Sequence, residues 1–400
     1  MEFFLLKQKL KKLSFLFITL LMVACGNKQT AKDLSEGSKG YQIFDSIVLV
    51  DPINTHVLNA SEIVDKIEYI QLETKEECII GRINKISILD QKLFISDSEI
   101  TYSLYCFNNS GEFIFKISRK GNGPGEYIDI SDFIVTEKEI IIYDGRKQNF
   151  LYFDLKGKYI RTENSGLYFS SFTTIGEDDF LLFSDQQVNP GLFSNPQYSC
   201  IFVNRKFKLL DRFLSFDIES DLFQKTQIIS NNLSSGNGSV YVYQTCDEYI
   251  YQFQDQNLQR LYQLNFAAKH VNHELLKKAS MEEIRMEYSP ASTIWGLESF
   301  QVVNNWLVAQ YLFNRQAHFL FYNRENGKTI NSSRIVNDVD SMFVCMIPPF
   351  YSDGARLICI IEPYLLKKVY AGLQQNGIQG IGVNQNALDL NPMIQLLTLK

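Results

Sequence analysis

The chain has 400 residues, 45% of them apolar and 21% charged, with a net charge of −6. Such a length suits two or three ordinary domains or one domain built from repeats, and the negative balance excludes a nucleic-acid binder, which needs a basic face. Thirty Phe and 21 Tyr against 2 Trp favour pleated, half-buried surfaces and so β structure.

The first segment is a targeting signal and stands apart from the fold. Lys7, Lys9, Lys11 and Lys12 form a basic leader, and Leu13 to Val23 is an apolar run of eleven residues. A bilayer span takes roughly 20 residues, so this run has the size of a secretory signal core instead. It ends in Leu21-Met22-Val23-Ala24-Cys25-Gly26, which resembles a bacterial lipobox with Met22 where Leu is usual. That resemblance implies removal of residues 1–24, acylation of Cys25 and attachment to a membrane through the lipid. Gly26 in place of Asp points to the outer membrane of a Gram-negative cell. Residues 25–40 then read as the lipidated cysteine and a flexible tether, polar and poor in apolar side chains.

Folded sequence is expected from about Tyr41 to Lys400. A short helical turn at Ser61 to Lys66 precedes a strand at Ile67 to Leu72. From Ile86 onward, short β runs alternate with turn residues: Ile86–Leu89, Leu93–Ser96, Tyr102–Phe107 and Glu112–Ser118, then Asp132–Thr136, Glu139–Tyr143, Asn149–Phe153 and Lys158–Thr162. LYCF-NNSG-EFIF and FLYF-DLKG-KYIR align without gaps, placing Gly111 on Gly157, where a short hairpin loop needs positive φ. Fainter copies give anchors at Val203, Phe253 and Tyr322, with Phe207, Asn257 and Gly327 at or near the Gly position. The anchors Phe107, Phe153, Val203, Phe253 and Tyr322 lie 46, 50, 50 and 69 residues apart. Four strands per unit at this period predict radial blades. The long interval holds a helical insertion at about 272–288, and a sixth unit covers Phe343 to Ile361, followed by a helix at Tyr364 to Gln375. Pairing of Ile67–Leu72 with Ile394–Leu399 would close the ring.

At Arg119-Lys120-Gly121-Asn122-Gly123-Pro124-Gly125-Glu126-Tyr127, with Ile130, Asp132-Phe133 and a strand ending in Asp144, the chain resembles the six-bladed β-propeller lipoproteins abundant in Bacteroides and relatives. The lipobox, the hairpin Gly and Asn391-Pro392-Met393 before the last strand fit the same pattern. The resemblance implies an all-β, six-bladed propeller of four-stranded antiparallel blades, related in architecture to NHL-type propellers, and an envelope location. It carries no mechanism.

The chemistry-bearing residues each have a plainer reading. GNGPGEY could cradle a phosphate, but it contains Pro124 and leads into a strand where a phosphate site needs a helix N-terminus; a joint between blades is the alternative. His270, His273 and Glu274 do not have zinc-protease spacing, and a solvated helix start explains them better than a metal does. No Gly-x-Ser-x-Gly elbow is present. Asp97, Asp144, Asp185 and Asp247 recur at strand ends, as turn caps or as a cation-binding ring. Cys106 and Cys200 lie in apolar runs as buried thiols. Cys345 and Cys359 are symmetric about Ser352; they would face each other across a hairpin and could be oxidised, or stay as two buried thiols. Trp295 and Trp306 are the only tryptophans, which gives a Trp-platform carbohydrate site little support.

The binding surface expected from loop positions comprises Arg119, Lys120, Tyr127, Asp144, Arg146 and Lys147. No catalytic residue, metal site or cofactor is assigned. The leading expectation is a non-catalytic envelope protein that binds a protein partner or a small ligand. The alternative is a lyase or hydrolase acting on a glycan or peptide in the axial pocket.

Overall fold

Strands such as Ile140–Asp144 (IIIYD) and Asn149–Phe153 (NFLYF) are apolar at consecutive positions, so sheets made of them must be covered on both faces. A ring of sheets stacked side by side does this, and it is the arrangement in the computed structural model, which describes residues 43–185, 187–218, 232–236, 238–266, 270–271, 282–283, 286, 292–340, 351–365, 367 and 391–400.

Three strands lead: β1 (Ile43–Val50), β2 (His56–Asn59) and β3 (Val64–Gln71). Blade 1 is β4 (Lys85–Leu89), β5 (Lys92–Asp97), β6 (Ser103–Asn108) and β7 (Phe113–Ile117). Blade 2 is β8 (Asp132–Val135), β9 (Ile140–Asp144), β10 (Asn149–Phe153) and β11 (Tyr159–Asn164). Blade 3 is β12 (Ser171–Ile175), β13 (Asp179–Phe183), β14 (Gln197–Asn204) and β15 (Leu209–Phe216). Blade 4 is β16 (Leu233–Gly236), β17 (Ser239–Tyr243), β18 (Tyr249–Gln254) and β19 (Asn257–Phe266). Blade 5 is β20 (Leu297–Val303), β21 (Trp306–Phe313), β22 (Gln316–Asn323) and β23 (Thr329–Val336). Blade 6 joins β24 (Tyr351–Ser352), β25 (Arg356–Ile361) and β26 (Met393–Leu399) to β3.

Within each blade the four strands are antiparallel neighbours. The first strands β4, β8, β12, β16, β20 and β24 each contact the next, and β24 contacts β4, so the ring closes. The expected closure is present: Ile394 pairs with Ile70 and Leu397 with Ile67. The core is distributed as spokes between blades. Phe94, Phe133 and Phe153 pack between blades 1 and 2, Phe150, Phe172 and Phe180 between 2 and 3, and Tyr243, Phe300 and Leu320 between 4 and 5. Phe202 meets Phe253 at 5.0 Å between blades 3 and 4.

The hairpin glycines are needed on two counts. Gly111 and Gly157 have φ of +84° and +81°. A Cβ on Gly111 would collide with the Gln71 carbonyl of the preceding blade, and one on Gly157 would come within 2.7 Å of the Phe115 ring. In blade 3 the same slot holds Phe207 at φ +57°, whose ring packs 4.7 Å from Phe150. Blade 4 corrects one expectation: its left-handed residues are Asp255 and Gln256, so the turn is one residue earlier than Asn257.

Before β3, the chain forms a strap that the sequence reading did not anticipate. β1 runs parallel to β19 as a fifth strand of blade 4, and β2 runs parallel to β23 as a fifth strand of blade 5. The turn at Ser61 to Lys66 is shorter than expected, a 3-10 turn at Ala60–Glu62 followed directly by β3. Glu282, Glu283 and Met286 are helical, and the rest of the expected insertion lies, like the signal segment, Cys25, the tether and Cys345, outside the described residues. The hairpin of blade 6 has a different register from the one that would oppose Cys345 and Cys359. Tyr351 pairs with Ile358 and Ser352 with Leu357, which centres the turn between Gly354 and Ala355 and not on Ser352. Cys106 and Cys200 are buried thiols, as their apolar runs suggested, and burial pushes Cys106 up to about 12.

Candidate functional site

Antiparallel order puts two kinds of connection on each face of the ring. The turns between second and third strands and the crossings between blades share one face; the remaining hairpin turns lie on the other. All six residues singled out from the sequence belong to the first face, in the crossing 118–131, at the end of β9 (Asp144) and in the turn 145–148 of blades 1 and 2.

Three of the six are structural. Tyr127 is fully buried; its hydroxyl is shared between the carbonyls of Tyr102 and Ile117 at 2.8 and 3.0 Å and accepts from the Arg119 N–H at 3.2 Å. Burial pushes this phenol up to about 12. Asp144 is also fully buried. It accepts from the N–H of Ile128 at 2.7 Å and from those of Arg146 and Lys147 at 3.1 and 3.3 Å, so it caps its turn and holds the preceding crossing. Lys147 Nζ donates to the carbonyls of Gly121 at 2.8 Å and Glu126 at 3.3 Å.

The Gly-rich loop is closed on itself. Gly121 N–H donates to Tyr127 O at 2.9 Å, Gly123 N–H to the Glu126 carboxylate at 2.7 Å, and Glu126 N–H to Gly123 O at 3.0 Å. The amides of Gly121, Gly123 and Glu126 are spent internally and the loop leads into strand β8, which accounts for it as a joint between blades. Gly125, at φ +72°, sits where a Cβ would meet the Tyr159 ring at 2.8 Å.

Arg119, Lys120 and Arg146 are exposed. Arg119 lies 5.9 Å from the Tyr159 ring centroid and Lys120 Nζ lies 3.0 Å over the Tyr102 ring. Arg146 lines a cavity of about 410 Å³ walled by blades 1 to 3, which the other five do not reach. Ser98 comes from the β5–β6 turn, Asp129 to Ser131 from one crossing, Gly145 and Arg146 from the β9–β10 turn, Phe169 and Ser170 from the next crossing, and Gln187 from the turn after β13. The Ser131 hydroxyl donates to Asp129 at 3.0 Å and accepts from Gly145 N–H at 3.1 Å. Phe169 is fixed by stacking on Tyr143 at 3.7 Å. Among the described residues the Arg146 guanidinium has no carboxylate or carbonyl partner, which leaves its planar fork of donors open to an anionic group.

The serines, Asp129, Phe169 and Gln187 were not found from the sequence. The recurring strand-end aspartates were the available signal, because Asp97, Asp144 and Asp185 stand one or two residues before Ser98, Gly145 and Gln187. Turn capping explains Asp97, Asp144 and Asp247. Burial would raise the Asp97 carboxyl, but donors from Ile100, Thr101, Gly81 and Arg82 hold it below its ordinary value. Asp247 accepts from Tyr249 N–H and from the Tyr251 hydroxyl. Asp185 departs from this pattern: no donor reaches it among the described residues, and burial pushes it up to about 6.

His270 stacks on Phe266 at 4.1 Å and is pushed down to about 4 by burial; His273 and Glu274 lie outside the described residues. Among the described residues no three His, Cys, Asp or Glu side chains are grouped to hold a metal. Trp306 is nearly buried and its indole N–H donates to the Lys400 carbonyl at 2.7 Å, a structural role.

Fold and face together define a closed six-bladed β-propeller with a polar cavity on its crossing face. By sequence, the chain belongs to the family called Domain of unknown function (DUF4934), whose profile matches residues 44–397. No functionally curated protein matches it. Among solved structures it is similar to a Bacteroides fragilis protein named "Putative exported protein", at 18% identity and a TM-score of 0.69, covering 88% of this chain and 99% of that one. A member of the duf4221 family from Bacteroides vulgatus aligns at 10% identity and a TM-score of 0.46, over 84% of this chain and 97% of that one.

Proposed function

We propose that this protein is a lipid-anchored propeller of the cell envelope that binds a ligand in the cavity around Arg146 without catalysing a reaction on it. The observation that carries this reading is the Arg146 guanidinium, without an ion-pair partner among the described residues, on a cavity whose other walls from three blades are serine hydroxyls, the Gln187 amide, Ile130, Phe169 and an Asp129 carboxylate already bonded to Ser131. Such a set recognises an anionic or polar group, on a small ligand or on a protein partner's loop, by hydrogen bonding. The sequence alternative, a lyase or hydrolase, requires converging titratable groups. In this cavity only Asp129 and Arg146 ionise, and Asp129 is engaged by Ser131.

The envelope assignment rests on the basic leader, the eleven-residue apolar run and the lipobox-like LMVACG ending at Gly26. The name of the Bacteroides fragilis relative agrees with an exported protein. The resemblance to propeller lipoproteins of NHL-like architecture, and Gly26 after the cysteine, favour the outer membrane.

Affinity capture from envelope extracts tests the binding reading, with full-length wild-type and Arg146→Ala proteins as paired baits. A partner or small ligand retained by the wild type and lost from the variant supports it. Retention by both baits would remove Arg146 from the site, and turnover of a captured substrate would replace binding with catalysis.

A further inference from the structure

The opposite face of the ring carries a second cavity, of about 520 Å³, between blades 4 and 5. Its walls are Ser239 and Tyr241 of β17, Gln252 of β18, Asn305 of the β20–β21 turn, and Arg324 and Glu325 of the β22–β23 turn. Arg324 is half-buried and fixed from three sides. Nε donates to the Tyr262 hydroxyl at 2.9 Å, Nη1 donates to the Asn304 carbonyl at 3.4 Å, and the guanidinium carbon lies 5.2 Å from the Tyr241 ring centroid. Glu325 is exposed, and one of its oxygens accepts from Asn305 Nδ2 at 3.1 Å. Gln252 Nε2 donates to the Ser239 hydroxyl at 2.9 Å, which leaves the Gln252 carbonyl as an acceptor and the Ser239 proton as a donor.

Arg324 and Glu325 are neighbours in the chain, yet among the described residues neither forms an ion pair, with the other or with a third group. Each is held by neutral groups and keeps its charge at the cavity wall. A ligand of one sign would meet one of the two as a like charge. A neutral polyol would leave both without a counterpart, and the Tyr241 face on which a sugar ring would stack is covered by Arg324. The chemistry that satisfies the wall carries one charge of each sign a few bonds apart.

We propose that this cavity binds a free α-amino acid, with its carboxylate on Arg324, its ammonium on Glu325, and Gln252 and Ser239 completing the polar contacts. The site is separate from the cavity around Arg146, being on the other face and made by other blades.

Calorimetric titration of the full-length protein in detergent with the standard amino acids tests this. Any that binds is then compared with its deaminated acid and its decarboxylated amine. The expected result is binding of at least one amino acid, weakened about tenfold or more by removing either ligand charge, as for one hydrogen bond to a charged group. Glu325→Gln, an exposed change whose melting curve checks folding, weakens binding by a similar factor, and Arg146→Ala leaves it unchanged. The proposal is overturned if no amino acid binds at millimolar concentration, if the single-charge analogues bind equally well, or if Glu325→Gln matches the wild type. Loss of amino-acid binding in Arg146→Ala would also overturn it, by moving the ligand to the other face, while leaving the Arg146 reading intact.

Discussion

The hydroxyl of Tyr143, at the end of the second strand of blade 2, donates a 2.7 Å hydrogen bond to the carbonyl of Leu167 in the crossing to blade 3. Tyr105 does the same for Ile79, Tyr351 for Asn84, and the Tyr243 hydroxyl accepts from Leu297 N–H. Blade-to-blade crossings expose backbone groups that no ladder satisfies, and a buried phenol from a neighbouring blade supplies the partner. Part of the tyrosine enrichment of the sequence is explained by this use.

Tyr143→Phe keeps the ring stacked on Phe169 but leaves the Leu167 carbonyl buried without a partner. The expected cost is about 1–3 kcal/mol, read as a lower midpoint of chemical denaturation. Tyr168→Phe, at an exposed phenol in the same crossing, is the control and should move the midpoint by no more than about 0.5 kcal/mol.

Gly157→Ala and Gly327→Ala separate backbone strain from collision. Both glycines have positive φ, +81° and +74°, which costs an L-residue roughly 1–2 kcal/mol. A Cβ at 327 meets nothing within 4 Å, whereas at 157 it meets the Phe115 ring at 2.7 Å. Gly157→Ala is therefore expected to lose about 1–3 kcal/mol more than Gly327→Ala. Equal losses would show that the Phe115 ring yields freely.

Asp185 gives the fold a pH dependence. Its carboxyl is pushed from 3.8 up to about 6 by burial, so the folded state holds its proton where the unfolded state has released it. Between pH 4 and 6 the unfolded chain binds fewer protons, and stability falls as the pH rises, by about 2–3 kcal/mol in total. Asp185→Asn should remove this slope and raise the denaturation midpoint at pH 8 more than at pH 4. An unchanged slope would contradict the burial of the charge.

Cys25→Ala is expected to abolish incorporation of a labelled fatty acid and to release the protein from the membrane fraction. Labelling that persists in the variant would refute the anchor at Cys25.

The blades were legible because each repeats two local signals, consecutive apolar strand residues and a left-handed turn. Phe107, Phe153, Val203, Phe253 and Tyr322 all fall on third strands. The strap was not legible. β1 turns Ile47 and Leu49 outward, 61% and 47% exposed, beside buried Val48 and Val50, so its sequence shows no apolar–polar alternation. Its parallel partner is also some two hundred residues away, where no turn announces it. Of the candidate residues, Arg146 is exposed on the loop face, as its place in a turn implied, because a charged turn residue has no core use. Tyr127 and Asp144 are spent on backbone groups, which the sequence did not reveal, because a phenol or carboxylate that binds a ligand looks, in sequence, the same as one that binds its own backbone. Ser98, Ser131 and Ser170 were missed because serine is common in turns that bind nothing.

The strap sets an order of assembly. β1 needs β19, β2 needs β23 and β3 needs β26, three successive partners encountered later and later along the chain. A polypeptide delivered amino end first holds these strand edges open until blades 4, 5 and 6 arrive in turn, and open edges are sites for wrong pairing. The final seven-residue strand, Met393–Leu399, completes the last of them. A product cut short before it would keep an unpaired β3 and a gap in the circle.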